Sequence, residues 1–123
     1  MNIARANEAV KEQGDTFTGE VQLERLLAGQ PENGTAVSLV RFSDGARTHW
    51  HVHPGEQVLY ILEGVGRAGT ADEEATLHPG DVVYSPSGER HWHGAALGHS
   101  MAHLSVTTVG APEWFDAPEE SER

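Results

Sequence analysis

The stretch that decides the fold runs from Gly45 to Gly64: GARTHWHVHPGEQVLYILEG. Histidines stand at alternating positions 49, 51 and 53, a Pro54-Gly55 pair follows, and Gln57 leads an apolar run to Leu62. Alternate side chains of a strand share one face, so His49, His51 and His53 are expected to point the same way. A turn at Pro54-Gly55 brings Gln57 toward the same place from the neighbouring strand. Imidazoles and a side-chain carbonyl aimed at one point are donors for a metal ion.

Outward from this stretch the chain reads as short strands. Upstream, Phe17, Gly19, Val21 and Leu23 alternate with Thr18, Glu20, Gln22 and Glu24, which predicts a half-buried strand. Residues 28–34 (AGQPENG) are loop by composition, and 35–42 are β-branched and apolar enough for a strand ending at Ser43-Asp44-Gly45. Residues 47–53 and 57–62 follow as strands. A glycine-interrupted segment at 65–70, a hairpin tip at 71–74, and short strands at 75–77, 82–85, 91–93 and 101–109 complete the pattern. Many short strands between turn signals, with no long amphipathic helix, predict an all-β sandwich or barrel. The division expected is an N-terminal arm at 1–15, a barrel at 16–111 and an acidic C-terminal tail at 112–123. Within the arm, a short strand at 2–5 and a frayed helix both fit.

Composition narrows the function. A chain of 123 residues is expected to build one domain around one core. Cysteine is absent, which excludes disulfides, thiolate ligands and cysteine nucleophiles. No segment has the apolar length of a signal peptide or a membrane span, so the expected location is cytoplasmic. The formal net charge is −11 and Lys11 is the single lysine. Such a surface repels phosphate backbones and anionic lipid, which argues against nucleic-acid and membrane partners. All eight histidines lie between His49 and His103. A lone strand histidine is more often structural than a ligand; a cluster shared between two hairpins is a different matter.

The second hairpin is GDVVYSPSGERHWHGA, residues 80–95. It places His91 after a Pro86-Ser87-Gly88 turn and His93 two residues later. Taken together, the two segments resemble a single-domain cupin, a small jelly-roll β-barrel. The first cupin motif, G-x5-H-x-H-x3-E-x6-G, is matched by Gly45, His51, His53 and Gly64, with Gln57 where glutamate is usual. The second, G-x5-P-x-G-x2-H-x3-N, is matched by Gly80, Pro86, Gly88 and His91, with Ala95 in place of asparagine. The resemblance implies one divalent transition metal per chain, held by His51, His53, Gln57 and His91. His93 would line the cavity without being a ligand. Gln57 binds through a neutral oxygen, so the ion keeps its full double charge. That favours Lewis-acid work over stabilising a higher oxidation state.

The strings ARTHWHVHPGEQ, HPGDVV, PSGERHWHGA and MAHL are similar to those of bacterial cupin hydroxynitrile lyases, which are manganese-dependent. This resemblance implies manganese as the favoured metal, with iron, zinc or nickel compatible with the same donors. It also implies His103 as the base that takes the hydroxyl proton of a cyanohydrin as cyanide leaves. His49 stands where a small residue is expected and would narrow or re-polarise the substrate pocket. His78 and His99 lie in turn-like segments and are expected in solvent. Trp50 and Trp92 alternate away from the ligands, toward an inter-sheet or subunit contact. Val58, Tyr60 and Leu62 make the second face of their strand apolar too. With the common habit of cupins, this predicts a homodimer acting on a small-molecule substrate. A non-haem dioxygenase and a non-catalytic small-molecule-binding cupin are the rival readings.

Overall fold

The computed structural model of the protein describes residues 1–12, 16–29 and 34–119. After a 3-10 turn at Ala6–Glu8 come β1 (Val10–Glu12), β2 (Phe17–Thr18), β3 (Val21–Leu27) and β4 (Ala36–Phe42). The first motif supplies β5 (Arg47–Thr48), β6 (His51–Val52) and β7 (Gln57–Gly64). Then follow β8 (Gly66–Gly69), β9 (Glu74–Leu77), β10 (Val82–Ser85), β11 (Trp92–Ala95), β12 (Met101–Thr107) and β13 (Glu113–Trp114). The 3-10 turn is the only helical segment among the described residues, so none of them forms a helix able to cross a membrane.

The strands form two antiparallel sheets that face each other as a small jelly-roll barrel. The larger has the order β1-β3-β4-β12-β7-β10, the smaller β2-β5-β11-β8-β9, and β6 pairs separately with β13. Non-consecutive neighbours, such as β4 beside β12 and β12 beside β7, bring the last long strand to the middle of the larger sheet. That arrangement sets a late residue such as His103 between elements read much earlier in the chain. One end of the barrel is filled by Val21, Val40, Phe42, Ile61, Leu77 and Met101. Beyond this cluster the inward positions include histidines and the small polar residues Ser38, Thr48 and Ser105, and there the barrel is hollow.

Two departures from the expected strands matter for the site. The strand read across 17–24 breaks at Gly19, where the chain passes from the smaller sheet to the larger. The strand read across 47–53 also breaks, at His49-Trp50: β5 pairs with β11, whereas β6 pairs with β13. The chain turns a barrel corner there, so positions before and after it do not share one face. Alternation predicts a shared face only while the ladder is continuous.

The glycine that ends the first motif has a steric cause. Gly64 sits at φ +82°, and a Cβ there would run into the Ser100 carbonyl where β12 begins. Gly80 has a comparable φ of +92° but open space around it. Gly64→Ala is therefore expected to destabilise the fold by more than about 2 kcal/mol, from backbone strain and collision together. Gly80→Ala should cost only the strain, about 1 kcal/mol. Urea denaturation of the two variants measures the difference; equal losses would show that the Ser100 contact is not what requires glycine.

Candidate metal centre

His51 and His91 are brought together by their own backbones. The His51 N–H donates to the His91 carbonyl and the His91 N–H to the His51 carbonyl, both at 2.9 Å. A third bond, Gly88 N–H to the His53 carbonyl at 3.0 Å, ties the two motifs one step further on. The imidazoles of His51 and His91 consequently lie 4.4 Å apart by centroid, with His53 5.1 Å from His51.

Each of these two rings is oriented the same way. His51 Nδ1–H donates to the His49 carbonyl at 2.9 Å, and His91 Nδ1–H to the Glu89 carbonyl at 3.0 Å. A carbonyl can only accept, so the proton of each neutral ring sits on Nδ1 and the Nε2 lone pair is left for a ligand. Gln57 Nε2 donates to Ser105 Oγ at 2.9 Å, which turns Oε1 toward His91 Nε2 at 2.8 Å. Two lone pairs thus converge, and His53 has two buried ring nitrogens without a hydrogen-bond partner. A cation among these groups satisfies the lone pairs aimed at it, one ring nitrogen of His53 included, which is the physical test that a metal site must pass.

Burial keeps the rings uncharged. It pushes His51 down to about 3, with the neighbouring His91 as the second cause, and His53 to about 4 by burial and then His91. His91 is lowered by burial. His93 lies well below the ordinary histidine value because of burial and then His103. His103, fully buried, is pushed down to about 4 by burial, with a contact to its own backbone working the other way. Neutral imidazole is the form that binds metal or accepts a proton.

His93 comes closer to the donors than a pocket-wall residue is expected to. Ligand nitrogens of His51, His91 and His93 all lie within 4.8 Å of one another, a three-histidine group able to hold a metal ion. His93 Nδ1 also meets His103 Nε2 at 3.0 Å, and its Nε2 is buried without a partner. His103 reaches this point from β12 at an irregularity in the ladder. Ala102 pairs with Glu63 but His103 pairs with Ile61, so Leu62 is bulged out beside it.

Most of these side chains line a cavity of about 320 Å³, while His91 lies behind its wall. Its wall includes His51, His53, Gln57, His93 and His103. His49 corrects the expectation. It is half-buried but absent from the wall, and Thr48 lines the cavity instead. The physical reason is the corner after Thr48, which removes His49 from the ligand face; its role is the backbone carbonyl that orients His51. His78 and His99 are exposed.

The described part of the C-terminal tail belongs to the site. Val109 adopts φ +65°, costly for a β-branched residue, and turns the chain so that Ala111 and Pro112 reach the cavity. β13 then pairs Trp114 with His51, and the indole lies 4.5 Å from that imidazole. Arg47, 1% exposed, donates from a terminal nitrogen to the Pro118 carbonyl at 2.8 Å and so pins the tail. In the sequence, the aromatic pair Trp114-Phe115 sets this stretch apart from the acidic residues around it.

The cupin domain family matches residues 38–108. The chain belongs to the cupins. An (R)-mandelonitrile lyase from Granulicella tundricola is 42% identical to this cupin over 111 residues, covering 86% of this chain and 83% of that protein. A cupin-like protein from Thermotoga maritima is 38% identical and superposes with a TM-score of 0.85 over 91% of this chain and 88% of its own. A polyketide cyclase from Streptomyces resistomycificus, at 19% identity, superposes with a TM-score of 0.75 over 98% of this cupin and 89% of itself, and shows the shared fold alone.

Two measurements follow from the geometry. Elemental analysis should find stoichiometric metal in the unaltered protein and in His78→Ala, but not in His51→Ala or His91→Ala. His93→Ala separates the two overlapping donor sets: metal retained places His53 and Gln57 in the set, metal lost places His93 there. The second concerns acid. His51, His53 and His103 stay neutral in the metal-free fold, while the unfolded chain takes up their protons below pH 6.5. Stability is therefore whole above that pH and falls as pH drops toward 4, by about 1.4 kcal/mol per unit for each histidine. Urea denaturation of chelator-treated protein at pH 7.5 and 5.5 tests this, and equal stabilities would contradict it.

Proposed function

We propose that this cupin is a metal-dependent hydroxynitrile lyase, cleaving α-hydroxynitriles to a carbonyl compound and hydrogen cyanide and catalysing the reverse addition. The observation that carries the reading is His103: a fully buried neutral imidazole on the cavity wall, hydrogen-bonded to a histidine of the donor group. The 42% identity to an (R)-mandelonitrile lyase supports the same chemistry.

In this reading His51, His53, Gln57 and His91 hold one divalent ion, manganese in preference to iron, zinc or nickel. A bound ion supplies Lewis acidity that lowers the pKa of a substrate hydroxyl. The chain's own residues do the rest. The hydrogen between His103 Nε2 and His93 Nδ1 can sit on either ring. On His103 it makes His93 Nε2 an N–H, unfit for a metal, and leaves the His103 Nδ1 lone pair as the base. On His93 it does the reverse. We assign it to His103, which ties the ligand role of His93 to the base role of His103: one ring can have its function only if the other does not. His103 then takes the hydroxyl proton, the C–C bond electrons leave with cyanide, and the proton returns from His103 to give hydrogen cyanide. Trp114, Leu23 and Val40 on the wall keep water from competing at the carbonyl carbon. The exposed outer face of β7 and β10, with Tyr60, Leu62, Val82 and Tyr84, supports pairing of two copies.

His103→Ala should lower cyanide release from mandelonitrile by about 100-fold or more while its metal content stays that of the unaltered protein. The assay is run without oxygen. Full activity in the variant removes His103 from the mechanism, and turnover that depends on oxygen uptake would favour the dioxygenase reading.

A further inference from the structure

Gln57 stands where the cupin motif has glutamate, and its amide does more than leave the donor set neutral. The amide spans two groups. Oε1 lies 2.8 Å from His91 Nε2, which carries a lone pair because the ring proton is on Nδ1. Nε2 donates to Ser105 Oγ at 2.9 Å. With an ion between the lone pairs the amide can take only this orientation, since the reverse aims an N–H at the cation.

Ser105 therefore has to accept. A hydroxyl has one hydrogen and two lone pairs, so accepting from Gln57 leaves its own hydrogen unused. Among the described residues no acceptor takes that hydrogen. Ser105 is half-buried on β12 and lines the cavity, so the cavity is where the hydrogen can find a partner. A glutamate at position 57 would do the opposite: a carboxylate only accepts, and the Ser105 hydrogen would bond to it. The amide thus sets the polarity of Ser105.

Ser105 lies two residues from His103, and both line the cavity. The irregularity of the ladder lies before His103, and pairing runs unbroken from there to Thr107. Alternation therefore holds between the two residues, which share one face about 7 Å apart along the strand. The hydroxyl and the nitrile of an α-hydroxynitrile hang from the same carbon, so His103 can meet the first while Ser105 meets the second.

We propose that Ser105 is a catalytic residue that donates a hydrogen bond to cyanide as the anion leaves, its hydrogen turned to the cavity by Gln57. The inference rests on the lyase reading for the identity of the anion, though the donor serves any small linear anion. Ser105 transfers no proton. The C–C bond breaks with its electron pair on the cyanide carbon, the proton that makes hydrogen cyanide comes from His103, and Ser105 keeps its own. Leu23 and Val40 on the same wall lower the local dielectric, which strengthens a bond from a hydroxyl to an anion.

Azide, a linear anion, is the probe. Its Kd for manganese-loaded protein is measured by calorimetry in the unaltered chain, S105A, Q57E and the double variant, with metal content determined for each. S105A is expected to keep its metal and to bind azide about tenfold more weakly. In the Q57E background the same change should alter the Kd by less than about twofold, because the carboxylate already holds the serine hydrogen. Cyanide release from mandelonitrile should fall about tenfold in kcat/KM in S105A. Equal azide Kd values in the unaltered protein and S105A overturn the inference, as do absent azide binding and an equal loss in both backgrounds. Unchanged cyanide release in S105A overturns the catalytic role and leaves the lyase reading standing. Loss of metal from S105A also overturns it, making Ser105 a support for Gln57. Should the unaltered protein release no cyanide while the azide pattern holds, the donor role of Ser105 is upheld and the lyase reading fails. If S105A does not fold, S105C, which keeps the shape with a weaker donor, takes its place in every comparison.

Discussion

The site depends on two backbone hydrogen bonds, the reciprocal pair between His51 and His91. The two residues come from hairpins 40 positions apart, and neither belongs to a long ladder: β6 has two residues, and His91 lies just outside β11. That pair, extended by the Gly88–His53 bond, holds the two imidazoles 4.4 Å apart. The carbonyls two residues upstream of each, His49 and Glu89, then select the tautomer. Main-chain geometry thus fixes both where these two imidazoles are and which nitrogen they offer.

The short strand β6 has little else to support it, and the C-terminal tail supplies what is missing. Trp114 covers the outer side of His51, Phe115 N–H donates to the Trp50 carbonyl, and Trp50 N–H donates to the Asp116 carbonyl. Arg47 anchors the far end at Pro118. This arginine and Arg67 lie with their guanidinium carbons 5.2 and 5.4 Å from the Trp92 ring centre. Two buried cations beside one indole are acceptable only because each also bonds to carbonyl oxygens: Pro118 for Arg47, Ala95 and Gly45 for Arg67. The same tryptophan that alternation points away from the metal therefore secures the segment that walls the cavity.

The charge arrangement is the reverse of the exterior. A chain of net charge −11 encloses a cavity whose described wall carries imidazoles, hydroxyls, an amide and one guanidinium. Burial keeps the imidazoles neutral until a ligand arrives, so the free cavity does not accumulate charge that it cannot solvate. A neutral amide in the glutamate position continues this pattern. The consequence is a set of donors that stays neutral until an ion binds.

Much was legible in the sequence. The two motifs with their spacing determined the cupin fold, because glycines at forced turns and histidines at alternate positions are local requirements that composition records directly. Gln57 in place of glutamate, and the absence of cysteine, set the kind of donor available. What only the tertiary structure decided concerns residues whose role depends on where a strand stops. His49 looks equivalent to His51 and His53 until the chain turns a corner after Thr48. His93 looks like a neighbour of the site until its ring nitrogens fall among the donors and against His103. The tail looks like an acidic extension until Trp114 pairs with His51. In each case the deciding contact is between residues far apart in sequence. Period-two alternation carries no information about which strand lies opposite, nor about where a ladder breaks.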